Sequence, residues 1–365
     1  MKISSILIFG LLFLMACSSA EKTTVTLGYI TPLTGEVANY GESSRGGAEI
    51  ALAEINAAGG IDGMPLQLIF EDGECKAQSA TTAAQKLINV DQVKIITGTV
   101  CSAETLAVAP LAEENNIVLV SVASSNPSIT QSGDYIFRVW PSDAGQGKKM
   151  AEYALAQGYK NVAVMNQLSD YNVALAETFI TNFEAGGGTI TNQEAYPAET
   201  KDFRAQITKI KGKQPDAVYF VPYAEGGLVA KQLRELGITV PLLSAETFAT
   251  PEILKDAGNA AEGVVYATPA YDDKSEKAQA VMKKYIELYG KEPSFGVITM
   301  HAYDAVHLLA GIMQDCGTDA TCVKDALYNV KDYDGAAGRL TIDSNGDALK
   351  DFQLMVVNDG QFVKL

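Results

Sequence analysis

From residue 24 onward the chain alternates between two hydrophobic rhythms. Short unalternated apolar runs, rich in β-branched residues, occur at 24–30 (TVTLGYI), 66–70, 93–96 and 117–121. Between them lie stretches with helical spacing. Residues 43–57 carry Ala48, Ala51, Leu52 and Ile55 on one face and stop at Gly59-Gly60, and 77–90 and 103–115 follow the same pattern. Strands that are apolar on both faces, separated by helices, predict a parallel sheet covered on both sides.

Around Trp140-Pro141-Ser142-Asp143 the chain reads as a crossing point, after which the rhythm restarts. Helices are expected over 144–157, 173–184, 203–211 and 226–236, and strands over 161–165, 217–221 and 264–267. This is a second α/β unit with its own sheet, an architectural repeat rather than a sequence repeat. Two long helices come next. Residues 274–289 align Ala278, Val281, Met282, Tyr285 and Tyr289, and 294–313 align Ile298, Ala302, Ala305, Leu309 and Ile312. Such stripes read as core. The C-terminus turns to strands at 339–342 and 352–357.

The length of 365 residues fits two domains at about 150 residues each. With 47% hydrophobic residues there is enough apolar surface for two cores. The net charge of −16 leaves no basic face for DNA or RNA, so no nucleic-acid partner is expected. The N-terminus is a separate object. Lys2 precedes an apolar run at 6–16 that is too short to span a bilayer, which takes about 20 helical residues. Residues 1–16 therefore read as a secretory signal. Its end, Leu14-Met15-Ala16-Cys17, resembles a bacterial lipobox, which makes Cys17 the lipidated first residue of the mature chain and 17–23 a polar tether.

Five cysteines in an exported protein leave one over, and Cys17 is the odd one. The remaining four allow three pairings. The cheapest closure is local, Cys316 with Cys322, which leaves Cys75 with Cys101.

Much chemistry is missing. His301 and His307, the only histidines, lie six apart in an apolar helix and on different faces, which suits satisfied core residues rather than a metal site. Neither a phosphate-binding P-loop nor a dinucleotide fingerprint is present, and Gly41-Glu42-Ser43-Ser44-Arg45-Gly46 misses the nucleophile-elbow spacing by one residue. Asp343-Ser344-Asn345-Gly346-Asp347 starts like a calcium loop, but Ala348 replaces the required glycine and Leu354 the bidentate glutamate, so it reads as a turn. Neither an enzyme nor a cofactor nor a metal is expected.

What remains is a set of hydroxyls at strand ends: Ser102 after the strand–turn 95–100, and Ser124-Ser125 after 117–122. Ligands of open parallel sheets sit beyond these ends, where hydroxyls and helix N-terminal amides suit a carboxylate. Plain N-capping accounts for the same serines equally well. A wider pattern adds to this. Gly28-Tyr29-Ile30-Thr31-Pro32-Leu33-Thr34-Gly35, Ala38-Asn39-Tyr40-Gly41, Glu54-Ile55-Asn56-Ala57-Ala58-Gly59-Gly60-Ile61, Glu71-Asp72 ahead of Cys75, Gly98-Thr99-Val100-Cys101-Ser102, Tyr135-Ile136-Phe137-Arg138 and Gly346-Asp347 follow one another along the chain. Together they resemble the leucine/isoleucine/valine-binding proteins, the type I periplasmic solute-binding receptors of branched-chain amino-acid ABC transporters, over about residues 24 to 360.

The resemblance implies a fold and a site. The fold is two Rossmann-like α/β lobes joined by a multi-crossover hinge, with 24–141 plus 274–338 in lobe 1 and 142–273 plus 339–365 in lobe 2. Ser102 corresponds to the serine that holds the ligand carboxylate, and Ser125 to a threonine with the same task. Ala123 corresponds to the residue whose carbonyl receives the ammonium, and Glu246 to the acid that pairs with it. Tyr171 and Tyr223 correspond to tyrosines that close over the ligand, and Tyr40 to an aromatic beside its side chain. The family also joins the cysteines matching Cys75 and Cys101. The expected function is capture of an amino acid, branched-chain or otherwise small and apolar, by a monomeric receptor that delivers it to an ABC permease and its ATPase. The alternative is a ligand-sensing or regulatory lipoprotein on the same fold.

Overall fold

The computed structural model describes residues 24–365. The signal segment, Cys17 and the tether up to residue 23 lie outside the described residues. The first sheet is built from β1 (Val25–Thr31), β2 (Leu66–Asp72), β3 (Ile95–Thr97), β4 (Val118–Ser121) and β5 (Ile136–Arg138). It is wholly parallel, in the order β2-β1-β3-β4-β5. Its crossovers are α1 (Ala38–Ala57), α2 (Ala77–Asn89) and α3 (Ser102–Glu114). The chain then runs through α4 (Asp143–Ala156), β6 (Asn161–Gln167), α5 (Asp170–Ala185), β7 (Thr189–Tyr196), α6 (Arg204–Lys213), β8 (Ala217–Val221), α7 (Gly226–Glu235), β9 (Leu242–Ala245), α8 (Pro251–Ala257) and β10 (Val265–Pro269). These strands pair as β7-β6-β8-β9-β10, the same order with the first strand inside the second, so the restart after residue 142 is a repeat of topology.

The remaining elements return to both halves. Helices α9 (Glu276–Tyr289) and α10 (Gly296–Cys316) pack on α1 beside the first sheet, and α11 (Ala320–Tyr328) follows them. The short ribbon β11 (Tyr333–Gly335) with β12 (Gly338–Leu340) stands apart from both sheets. The chain then crosses back, and β13 (Phe352–Asn358) and β14 (Gln361–Lys364) extend the second sheet antiparallel at the β10 edge. Three segments thus link the halves: 139–142, 270–275 and 341–351.

Several expectations shift. Helix α1 begins at Ala38, five residues before the apolar periodicity starts, so Tyr40 stands in its first turn. Strands β5, β7, β9, β11 and β14 and helices α8 and α11 lie outside the expected elements. Exposed and half-buried positions interrupt β7, an edge strand, and β9 has only four residues. The strand expected at 339–342 is the shorter β12, paired in the ribbon.

Both disulfides form as expected, Cys75–Cys101 with Cα atoms 5.3 Å apart and Cys316–Cys322 with 5.6 Å. The segment 343–347 is a turn: the Asp343 carboxylate accepts from the amides of Asn345 at 2.8 Å and Asp347 at 3.0 Å. Its Asp347 makes a bidentate pair with Arg138, Nε–Oδ1 at 2.6 Å and Nη2–Oδ2 at 2.8 Å, and the Arg138 side chain is fully buried. No described helix is long and apolar enough to cross a membrane.

Candidate functional site

The carboxyl ends of both sheets face each other, and a cavity lies between them. On the first side, β3 leads through Thr97-Gly98-Thr99 into Val100 and Cys101, and α3 starts at Ser102. This corner is held by Glu104, buried in the first turn of α3. Its Oε2 accepts from the amides of Val100 and Cys101, both at 3.0 Å, and its Oε1 from that of Cys75 at 3.2 Å. Burial pushes the Glu104 carboxyl up to about 7, with the Cys101, Val100 and Cys75 amides opposing the shift. The disulfide and this carboxylate together fix the backbone that presents Ser102.

Ser102, Ala123 and Tyr40 line the first-sheet side of the cavity. The Ser102 hydroxyl accepts from the Asn126 amide at 3.1 Å. Ser125 is buried but is not among the lining residues: its hydroxyl donates to Asp143 Oδ2 at 2.8 Å. That donor is committed, so what Ser125 has left for a neighbour is acceptor capacity.

The second side carries Tyr171 from the first turn of α5, Tyr223 beyond the end of β8, and Glu246 immediately after β9. The α5 turn is set by the Ser169 cap, whose Oγ accepts from the Asn172 amide at 3.2 Å. Tyr171 and Tyr223 stack with centroids 5.4 Å apart, and Tyr40 meets Tyr223 edge-on at 6.5 Å. The Tyr171 hydroxyl donates to Glu246 Oε1 at 3.0 Å, and the Gln146 amide donates to Oε2. Tyr40 reaches across, its hydroxyl donating to the Thr247 carbonyl at 3.1 Å. Six of the seven ligand residues expected from the sequence therefore surround one cavity, and Ser125 stands just behind it.

Sequence reasoning missed part of the wall. Trp140 lies in the first linking segment, Thr247 follows Glu246, and Phe295 and Ile298 come from the start of α10. Ile298 fits the core stripe and lines the cavity as well, because the stripe continues to the cleft. The only signal for Trp140 was its place at the crossing point as the single tryptophan of the chain.

Electrostatically the cavity is simple. Among the described residues Glu246 is the only charged one lining it. Burial drives its carboxyl up from 4.5 to about 7, against the hydrogen bonds from Gln146 and Tyr171. Asp143, fully buried behind it, is raised by the same burial and by repulsion from Glu246. Among the described residues no group of acidic, histidine or cysteine side chains could hold a metal ion. His301 is a buried helix residue, and His307 pairs with Glu54 at 3.1 Å. One end of the cavity thus offers a hydroxyl at a helix N-terminus, the other an unneutralised carboxylate, with aromatic and aliphatic side chains between. This is a complement to a small molecule carrying opposite charges at two ends.

Two mainly parallel α/β lobes with such a site between their strand ends define a two-lobed solute receptor. The chain belongs to the periplasmic binding protein family, whose model matches residues 24–361. That family comprises extracytoplasmic solute-binding receptors, not enzymes. The chain is 31% identical over 354 residues, 95% of each chain, to Leu/Ile/Val-binding protein homolog 3 of Brucella melitensis. Among solved structures, a leucine-binding protein from Thermotoga maritima superposes with a TM-score of 0.86 at 31% identity, covering 93% of this chain and 97% of that one. The branched-chain amino-acid transporter substrate-binding protein of Streptococcus pneumoniae, solved with isoleucine, gives 0.84 at 29% identity, covering 94% and 100%.

Proposed function

We propose that this chain is the amino-acid receptor of an ABC importer, closing its two lobes over a zwitterion with an apolar side chain. The observation that carries the reading is the placement of Ser102 and Glu246 on opposite walls of one cavity. The hydroxyl of Ser102 and the N-terminus of α3 take the carboxylate. Glu246, with the Ala123 carbonyl, takes the ammonium. Tyr40, Phe295 and Ile298 leave only apolar and aromatic surface for the side chain. Ser125, its hydroxyl donating to Asp143, backs the wall from behind rather than touching the ligand.

The relatives named for leucine, isoleucine and valine support a branched-chain ligand. In this reading lobe 1 comprises 24–141 plus 274–338 and lobe 2 142–273 plus 339–365. The receptor works as a monomer, is held to a membrane by lipid on Cys17, and hands its ligand to a permease driven by a separate ATPase.

A thermal-shift screen of the purified protein against the twenty L-amino acids tests this. A ligand at 100 times its Kd adds about 2.7 kcal/mol to the native state. Leucine, isoleucine or valine is expected to raise the midpoint most. A screen in which no amino acid shifts it rejects the reading.

A further inference from the structure

Behind the cavity wall lies a polar chain, running from the half-buried Lys350 to the buried His301, that the binding chemistry does not use. Lys350 sits at the end of the third linking segment, two residues before β13. Its ammonium donates inward to His301 Nε2 at 3.2 Å and to the Ala337 carbonyl at 2.8 Å. His301 is in the middle of α10, and its Nδ1 lies 2.8 Å from the Val297 carbonyl. A carbonyl only accepts and an ammonium only donates, so Nδ1 carries the proton and Nε2 is the bare acceptor. The ring is therefore neutral, in one tautomer and one orientation. Burial, reinforced by the nearby Lys350 charge, holds the His301 pKa well below its usual range.

The Lys350 end is fixed independently. The Asp304 carboxylate, one turn along α10, accepts from the amides of Ala336 at 2.6 Å and Ala337 at 2.8 Å. A Cβ on Gly335 would sit 2.2 Å from Asp304 Oδ2, so the turn 335–337 closes directly onto the carboxylate. This anchors the Ala337 carbonyl against Lys350. At the other end the His301 ring packs on the Trp140 indole, centroids 4.8 Å apart and both residues 1% exposed. Trp140 lines the cavity, as does Ile298, one turn before His301.

We propose that Lys350 is a positioning residue for the ligand cavity: by holding His301 in a single orientation it seats the Trp140 indole, so the third linking segment sets one wall of the binding site. The half-buried Lys350 ammonium, with the Asp304 carboxylate nearby, directs two of its hydrogen bonds inward to a neutral imidazole and a carbonyl rather than to water. Its effect lies in directionality. It ties a linking segment, an α10 ring and a cavity side chain into one rigid unit, and a lobe movement that shifts the third segment then shifts the wall.

The indole is the only tryptophan in the chain, so its fluorescence reads the wall directly, with or without ligand. In Lys350→Met the emission maximum of the unliganded full mature protein is expected to move to the red as the indole loses its backing. The Kd for L-leucine should rise about tenfold, a change of about 1.4 kcal/mol. Emission unchanged and Kd within about twofold of wild type, whatever happens to the thermal midpoint, would make Lys350 a structural residue only and overturn the proposal. If Lys350→Met does not fold, Lys350→Arg decides. The guanidinium keeps the charge but moves the donor off His301 Nε2, and the same red shift is expected, an unchanged spectrum again overturning it. The affinity arm rests on the amino-acid receptor reading. Wild-type protein that binds no leucine would sink that arm and not this one, because the emission arm needs no ligand.

Discussion

Tyr171 and Glu246 meet across two strand–helix turns of the second sheet, the phenol donating to Oε1 at 3.0 Å while Gln146 occupies Oε2. The carboxylate is therefore aimed, by two donors from α5 and α4, before any ligand arrives. Preorganisation of this kind means that removing its charge changes binding without rebuilding the site.

Glu246→Gln should leave that geometry nearly intact and remove the charge that faces the ammonium. A ligand ammonium enclosed without its partner costs roughly 2–5 kcal/mol, so affinity should fall by about one and a half to nearly four decades. Isothermal calorimetry with the best ligand from the amino-acid screen measures it. An affinity within about twofold of wild type would remove Glu246 from the site.

The same carboxylate makes closure sensitive to pH. In the closed, unliganded cavity burial raises the Glu246 pKa to about 7, above its ordinary 4.5. Asp143 is raised in the same direction. A carboxyl with a raised pKa in the closed state penalises closure where it must be ionised. The penalty is full above about 7, shrinks as pH falls through that value, and is gone below about 4.5. Unliganded protein should therefore be more compact at pH 5 than at pH 8, read as a smaller radius of gyration by X-ray scattering. Glu246→Gln should flatten most of the difference, leaving the share due to Asp143. Equal radii at both pH values in the wild type would refute the coupling.

Strand–helix alternation made the fold legible in the sequence, because buried parallel strands must be apolar on both faces. It broke down at β7, a half-exposed edge strand, and at β9, which is fully buried but only four residues long. The polar half of the site was legible for a different reason. Ser102 follows a strand end, where the topology leaves backbone donors free, whereas Glu246 and the tyrosines are reached through the family resemblance, the strand that leads to Glu246 being too short to mark itself. The apolar half was not. Phe295 and Ile298 obey the same periodicity as the core beneath them, and nothing local marks a stripe that continues into a cleft. Trp140 depends on His301 and Lys350, which lie 161 and 210 residues further along the chain, a relation no local pattern carries.

Asp347→Asn tests the joint between the first sheet and the last linking segment. Arg138 is fully buried and its guanidinium is held by both Asp347 oxygens. Removing the acid's charge leaves a buried cation without its counter-ion, which costs about 3–5 kcal/mol. Urea denaturation should show the midpoint fall with little change in slope. A loss under about 1 kcal/mol would mean the pair behaves as a surface bridge.

Lipid attachment is checked by mass. Intact mass and N-terminal peptide analysis of membrane-extracted protein should place a diacylglyceryl-modified Cys17 first. Cys17→Ser should move the protein from the membrane fraction to the soluble one. An unmodified Cys17, or cleavage elsewhere, would refute the anchor.

Opening the Cys75–Cys101 disulfide should affect binding as well as stability. The bond closes a loop of sequence separation 26, and the chain-entropy relation for such a loop gives about 3.5 kcal/mol of native-state stabilisation. Cys101 also immediately precedes Ser102, and the Cys75 and Cys101 amides share the buried Glu104 carboxylate. In a Cys75→Ala, Cys101→Ala variant that carboxylate keeps both amides, so the corner survives with more freedom. Unfolding should therefore occur at lower urea, and ligand affinity should fall by about threefold to tenfold, corresponding to about 0.7–1.4 kcal/mol, because part of the ordering of Ser102 is now done at the moment of binding. Calorimetry at a temperature where the variant is fully folded separates the two effects. Lower stability with unchanged affinity would show that Glu104 alone presents Ser102 and that the disulfide acts only on the unfolded chain.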